Sequence, residues 1–226
     1  MQQALDLPVA PRYSFDTFIA CPGNATALEF ARRLCLPDEP ERLLYLYGET
    51  GSGKTHLLHA VGKQLCGETY RIIRPAELAE WSEVDLLDRF ADQSVLLVDN
   101  LDDFPAALRT ALWELFNCYH QSGRPVAMAG RRPPRELFNL DDHLISRLLW
   151  GLVANLDVSD DHSRLMLLAK LAADRQVLLP EEVAHWLLTI LPRNVGSLVS
   201  ACDLLYRAAL QQKRKITLRL ARELFA

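Results

Sequence analysis

Short apolar runs alternate with helical periodicity over residues 43 to 156, and from about residue 159 onward only the helical period remains. The runs at 43–47, 70–74, 94–98, 125–129 and 152–156 predict five strands with helices between them. That order builds a parallel sheet wrapped by helices. After the third run, Leu108, Leu112, Leu115, Phe116 and Tyr119 recur at spacings of 4, 3, 1 and 3. They make one stripe on a helix, the face that packs on the sheet. The tail predicts helices at about 160–173, 181–191 and 195–210 and a last short one, with Pro180 and Glu181 favouring a helix start. A small all-helical domain, 158–226, therefore follows an α/β domain, 13–157. Residues 1–12, with prolines at 8 and 11, read as a flexible arm.

Composition narrows the function classes. Lys and Arg number 25 against 29 Asp and Glu, a formal charge of −4, so no global cationic field holds nucleic acid or an anionic membrane. Contact with DNA is expected only to be weak or indirect. No apolar segment reaches the roughly 20 residues that cross a bilayer, and the N-terminus lacks the basic start and apolar centre of a signal peptide. A cytoplasmic protein is expected. Five scattered cysteines without C-x-x-C spacing read as buried, reduced thiols rather than disulfides or a zinc site. His56 and His59 are three apart on one helix, but without a third ligand packing outranks a metal.

The chemistry begins at residues 48–55, GETGSGKT, which fit the phosphate-loop pattern G-x-x-x-x-G-K-[ST] between an apolar run and a helix. Glycines at 48, 51 and 53 let the backbone curl so that successive N–H groups face phosphate oxygens. Lys54 neutralises the β and γ phosphates, and Thr55 offers a hydroxyl to Mg²⁺. The candidate site for ADP or ATP is thus Gly48, Thr50, Gly51, Ser52, Gly53, Lys54, Thr55 and His56. About 45 residues later the apolar run Val95–Val98 ends in Asp99, placed to join Thr55 in holding Mg²⁺. Many nucleotide hydrolases of this architecture carry a second acid at the next position. Here it is Asn100, whose amide cannot accept a proton from the attacking water, so turnover by this chain alone is expected to be slow.

YSFDTF (13–18), GETGSGKTHLLHA (48–60), VLLVDNLDD (95–103), GRRPP (130–134) and SRLLWGL (146–152) together resemble the DnaA-like AAA+ family, most nearly its regulatory members that inactivate DnaA. The likeness runs from about residue 3 to 226. It implies an AAA+ base domain with a helical lid. No helix-turn-helix follows the lid before Ala226, which speaks against an initiator that reads origin DNA by itself. Arg147 falls at the arginine-finger position, the residue one subunit presents to a γ-phosphate on its neighbour. The second-sensor arginine of the family falls near Gly196, a residue without a side chain, with Arg193 three positions earlier as a stand-in. Arg131 stands where the first-sensor pattern has an acid. Gln3, Leu5 and Leu7 resemble the short peptide by which bacterial proteins dock on the replicative sliding clamp.

The resemblance thus implies a clamp-dependent regulator that meets DnaA through the face carrying Arg147 and triggers hydrolysis of its ATP. It leaves self-association open. A self-sufficient AAA+ ATPase, helicase-loader-like or a DnaA paralogue with another partner, is the alternative. A small-molecule kinase would share the phosphate loop but leave SRLLWGL and the arm unexplained. The cluster Lys213, Arg214 and Lys215 reads as a solvated helix end before a DNA contact.

Overall fold

A computed structural model describes residues 13–225. The clamp-peptide residues Gln3, Leu5 and Leu7 lie outside them. Four parallel strands, β1 (Leu43–Tyr47), β2 (Leu96–Val98), β3 (Val126–Gly130) and β4 (Leu152–Asn155), stand in the order β2-β3-β1-β4. Leu44 pairs with Ala127 on one side and Leu152 on the other, and Leu97 also pairs with Ala127. Successive side chains of a strand point to opposite faces, so an uninterrupted apolar run is a strand covered on both. Leu44 and Leu46 enter a core with α1 (Ala25–Leu34) and α2 (Lys54–Cys66). Leu43 and Tyr45 enter the opposite core with α3 (Glu83–Phe90) and α4 (Arg109–Gln121). The stripe Leu112, Leu115, Phe116 and Tyr119 is buried there as its period requires, while Leu108 ends a short 3₁₀ turn before α4.

The strand expected at 70–74 shrinks to one bridge. Ile73 donates to Leu97 O at 2.9 Å and accepts from Asp99 N at 2.9 Å. Pro75, which has no N–H to extend a ladder, opens a 3₁₀ turn two residues later. Tyr70 packs instead on Gly62 of α2, where an added Cβ would lie 2.4 Å from the ring. The bridge still sets a fifth, edge position beside β2. It tethers Asp99 at the end of that strand.

Beyond β4, α6 (Asp161–Asp174), α7 (Glu181–Ile190), α8 (Val195–Gln212) and α9 (Leu218–Phe225) close on their own core, centred on Leu168, Val183, Leu187, Leu198 and Leu205. Asp160 and Asn194 cap α6 and α8, each accepting from the backbone three residues on at 2.8 Å. Pro180 is the cap residue of α7, and Glu181 and Glu182 occupy its first turn. Arg164 of α6 is 1% exposed; its guanidinium donates to Leu191 O and Pro192 O at 3.3 and 3.2 Å and pairs with Asp161 at 3.2 Å. That buried cation fixes the turn leading into α8. Not every cysteine is buried as expected: Cys118 lies exposed on α4, where Arg124 donates to its sulfur at 3.2 Å. Burial pushes the thiols of Cys35 and Cys202 up to about 11.

Candidate nucleotide site and arginine-finger face

The phosphate loop joins β1 to α2. Gly53, with φ of +107°, is the residue before α2 begins, and its conformation turns the free N–H groups of the first helical turn back toward the loop. Lys54, only 5% exposed, donates from Nζ to Gly48 O at 2.6 Å and to Glu49 O at 2.7 Å. Burial holds its ammonium below the usual lysine range, opposed first by the charge of Asp99. Thr55 donates from Oγ1 to Asp99 Oδ2 at 2.6 Å, and Asp99 Oδ1 accepts from Asn100 N at 3.0 Å. Asp99 is 2% exposed. A half-buried hydroxyl beside a buried carboxylate offers two hard oxygen donors, the kind that suits Mg²⁺. Asn100 has φ of +51°, a left-handed conformation that asparagine tolerates, and opens the turn Leu101–Asp103.

Asp102 is a site residue that sequence reading missed. Its Oδ2 accepts from Arg131 N, its Oδ1 is buried without a partner, and its charge supports that of Lys54. The signal was there in the three-residue offset from Asp99, masked by the look of an ordinary surface acid. Arg131 is drawn away: its guanidinium donates to Asp103 Oδ1 at 2.6 Å. The lid meets the loop at Gly51, with φ of +82°, where a Cβ would come 3.1 Å from Gly196 N. Gly196 therefore faces the loop with backbone alone. Arg193 is exposed and lies 3.5 Å from Asp161 Oδ1.

His56 turns from the loop toward segment 13–18. Its Nε2 donates to Ser14 O at 2.8 Å, and its ring meets Tyr13 and Phe18 edge-on at 5.1 and 5.2 Å. His59 stacks on Tyr13, accepts from Arg74 at 2.8 Å and donates to the Tyr70 hydroxyl at 2.8 Å. The two imidazoles root the segment that follows the arm on the helix that follows the phosphate loop.

Arg147 lies in the last turn of α5 (Asp142–Leu148), which leads into β4. Gly151 packs against Leu43, at the start of β1, whereas Lys54 contacts Gly48, just past the end of that strand. Five residues at about 3.3 Å each put about 16 Å of strand between Leu43 and Gly48, so the turn that follows α5 packs at the opposite end of β1 from the phosphate loop. Arg147 enters none of the ion pairs among the described residues. Its guanidinium rests over the Trp150 ring, 4.4 Å from the centroid.

The family model described as the bacterial DnaA ATPase domain matches residues 9–155. The chain belongs to the bacterial DnaA family. A second model, described as the Hda lid domain, matches residues 161–225 of this DnaA-family chain. The initiator DnaA of Symbiobacterium thermophilum is 27% identical over 92% of the chain and 51% of its own length. The chain thus spans about half the length of the curated relatives it matches. Domain III of Thermotoga maritima DnaA superposes with a TM-score of 0.81 at 25% identity, covering 97% of this chain and 99% of that one. AMPPCP-bound DnaA from Aquifex aeolicus gives 0.77 at 22% identity over 90% and 68%.

The anchor of this DnaA-family base has a pH dependence of fixed sign. His56 and His59 are both held below the usual histidine value, chiefly by burial, with Asp174 and Lys170 near His56 and Arg74 and Asp99 near His59. The unfolded chain therefore binds more protons as pH falls through about 6.5, and stability is present above that pH and lost below it. Melting temperature should drop between about pH 7.5 and 5.5, and the His56→Gln, His59→Gln double variant should show a flatter dependence. An equal slope in both proteins would contradict the assignment.

Proposed function

We propose that this chain is a nucleotide-holding regulator of replication initiation that works in the cytoplasm. Docked on the sliding clamp by its arm, it drives hydrolysis of ATP on DnaA and so inactivates the initiator. The observation that carries this reading is the split between the two ends of the sheet. At one end the parts that would serve hydrolysis in cis are altered: Asn100 is neutral, Arg131 is tied to Asp103, and Gly196 offers no side chain. At the other end Arg147 pairs with no carboxylate among the described residues, and the turn that follows it packs at the far end of β1 from the phosphate loop. A cation so placed serves a nucleotide on another protein.

The AMPPCP named for the Aquifex relative supports nucleotide binding here too. We assign ADP or ATP to the loop from Gly48, Thr50, Gly51 and Ser52 to Thr55, with Arg193 beside it and His56 acting behind it as the anchor of segment 13–18. Thr55 and Asp99 would hold Mg²⁺, which supplies charge neutralisation to the phosphates when bound. Bound ADP acts as a structural ligand, setting the angle between base and lid. The second model match, to the Hda lid, favours the regulatory branch over a self-sufficient ATPase.

The test combines DnaA carrying labelled ATP, clamp loaded on DNA, and this chain, with conversion to ADP as readout. All three components should be required. Replacing Gln3, Leu5 and Leu7 by alanine together should abolish retention on immobilised clamp and the stimulation with it, leaving melting and nucleotide affinity unchanged. Full stimulation by the triple variant removes the clamp from the scheme. No stimulation by the parent chain removes the scheme itself.

A further inference from the structure

The end of α5 places two side chains together by backbone geometry. Trp150 N donates to Arg147 O at 3.0 Å, an i to i+3 closure that brings residues three apart onto one side. Both flanks of Trp150 are pinned. Leu148 is buried in the sheet core, and a Cβ on Gly151 would lie 2.6 Å from Leu43 Cγ and 2.7 Å from Leu43 O. The indole is nevertheless 65% exposed, beside Leu149 at 41%. Among the described residues its face carries the guanidinium of Arg147, 4.4 Å from the ring centroid.

From this pairing we propose that Trp150 is a positioning residue for the Arg147 finger, an inference that rests on the trans-acting role of Arg147. A guanidinium stacks through its flat face and donates through its edge, so the two uses do not compete. Stacked on Trp150, Arg147 keeps its five N–H donors in one plane and available to the γ-phosphate oxygens of a partner. The indole also replaces a carboxylate in the one respect that matters for a finger. It limits the rotamers of the arginine without neutralising its charge or occupying its donors. Less freedom is then lost when the partner's phosphate is engaged, which speeds the chemical step without adding affinity for the partner.

The assay is single-turnover hydrolysis of ATP on DnaA at varied concentration of the clamp-docked chain, for the parent, Trp150→Ala, Trp150→Phe and Trp150→Leu. Trp150→Ala should lower the maximal rate roughly threefold to thirtyfold at unchanged half-saturating concentration. Trp150→Phe, which keeps a π face, should restore most of the loss, and Trp150→Leu, which is apolar only, should not. A raised half-saturating concentration that Leu repairs would make Trp150 an apolar docking contact and overturn the proposal, as would unchanged kinetics in all variants. A second readout needs no DnaA: side-chain ¹⁵N relaxation of Arg147 Nε should show a more mobile guanidinium in Trp150→Ala and not in Trp150→Phe. Unaltered mobility overturns the proposal. If Arg147→Ala stimulates DnaA as well as the parent does, the finger assignment itself has failed, and relaxation still reports the stack separately.

Discussion

Arg147→Ala is expected to fold, bind nucleotide and dock on the clamp like the parent chain, yet to lose roughly 10³- to 10⁵-fold of its power to drive ATP hydrolysis on DnaA. The size of the effect follows from where the charge acts. A cation brought to a γ-phosphate in a site closed to water stabilises charge that grows in the transition state, and in the proposed scheme Arg147 is the group that brings it. The loss to the fold is small. Arg147 makes no ion pair among the described residues, and its one aromatic contact is with an exposed ring. Arg147→Lys should rescue poorly, because a point charge on a flexible stem does not reproduce a planar fork of donors. The measurement is conversion of labelled ATP to ADP on DnaA in the presence of DNA-loaded clamp. Equal conversion with parent and Arg147→Ala would show that the catalytic cation comes from elsewhere.

Lys54→Ala should weaken ADP and ATP binding by roughly 30-fold to several thousandfold, the range for removing one partner of a desolvated charge pair. Lys54 is nearly buried, and its ammonium is held by Gly48 O and Glu49 O at the mouth of the loop. With alanine there, phosphate oxygens would enter a dry site with no compensating cation. Calorimetry reads the affinity directly. Thermal shift gives a second measure: ligand at about 100 times its dissociation constant adds about 2.7 kcal/mol to the parent. The same concentration should add about 0.9 kcal/mol or less to Lys54→Ala. Equal increments in the two proteins would place the nucleotide away from this loop.

The parts of the fold legible in the sequence were those set by local pattern. The run at 43–47 was apolar enough to be a strand covered on both faces, and the glycines of 48–55 marked the turn that follows it. The run at 70–74 had the same local look, but its fate was decided by an edge position and by Pro75, so one bridge remains. What escaped were relations across long separations. Arg131 meets Asp103, 28 positions away, and no feature of either residue announces the other. Asp102 joins the phosphate-loop lysine only because β2 and β1 end on the same side of the sheet. His56 follows the loop directly in sequence, yet each step along a helix turns the side chain by about 100°. Two residues past Lys54 it faces segment 13–18 instead.

The approach of the lid to the phosphate loop makes two neighbouring glycines unequal as starting points for evolution. Gly51 is closed to change: its φ is +82°, and any side chain would run into the first turn of α8. Gly196 is open, since a Cβ there meets only Asn194 Oδ1, at 3.4 Å. An arginine could enter position 196 in one mutational step, opposed by about 0.3–1 kcal/mol for a cation at a helix start and favoured by any phosphates held on the facing loop. The lid can therefore gain a side chain over the phosphate loop in one step, while the loop beneath it cannot answer with one of its own.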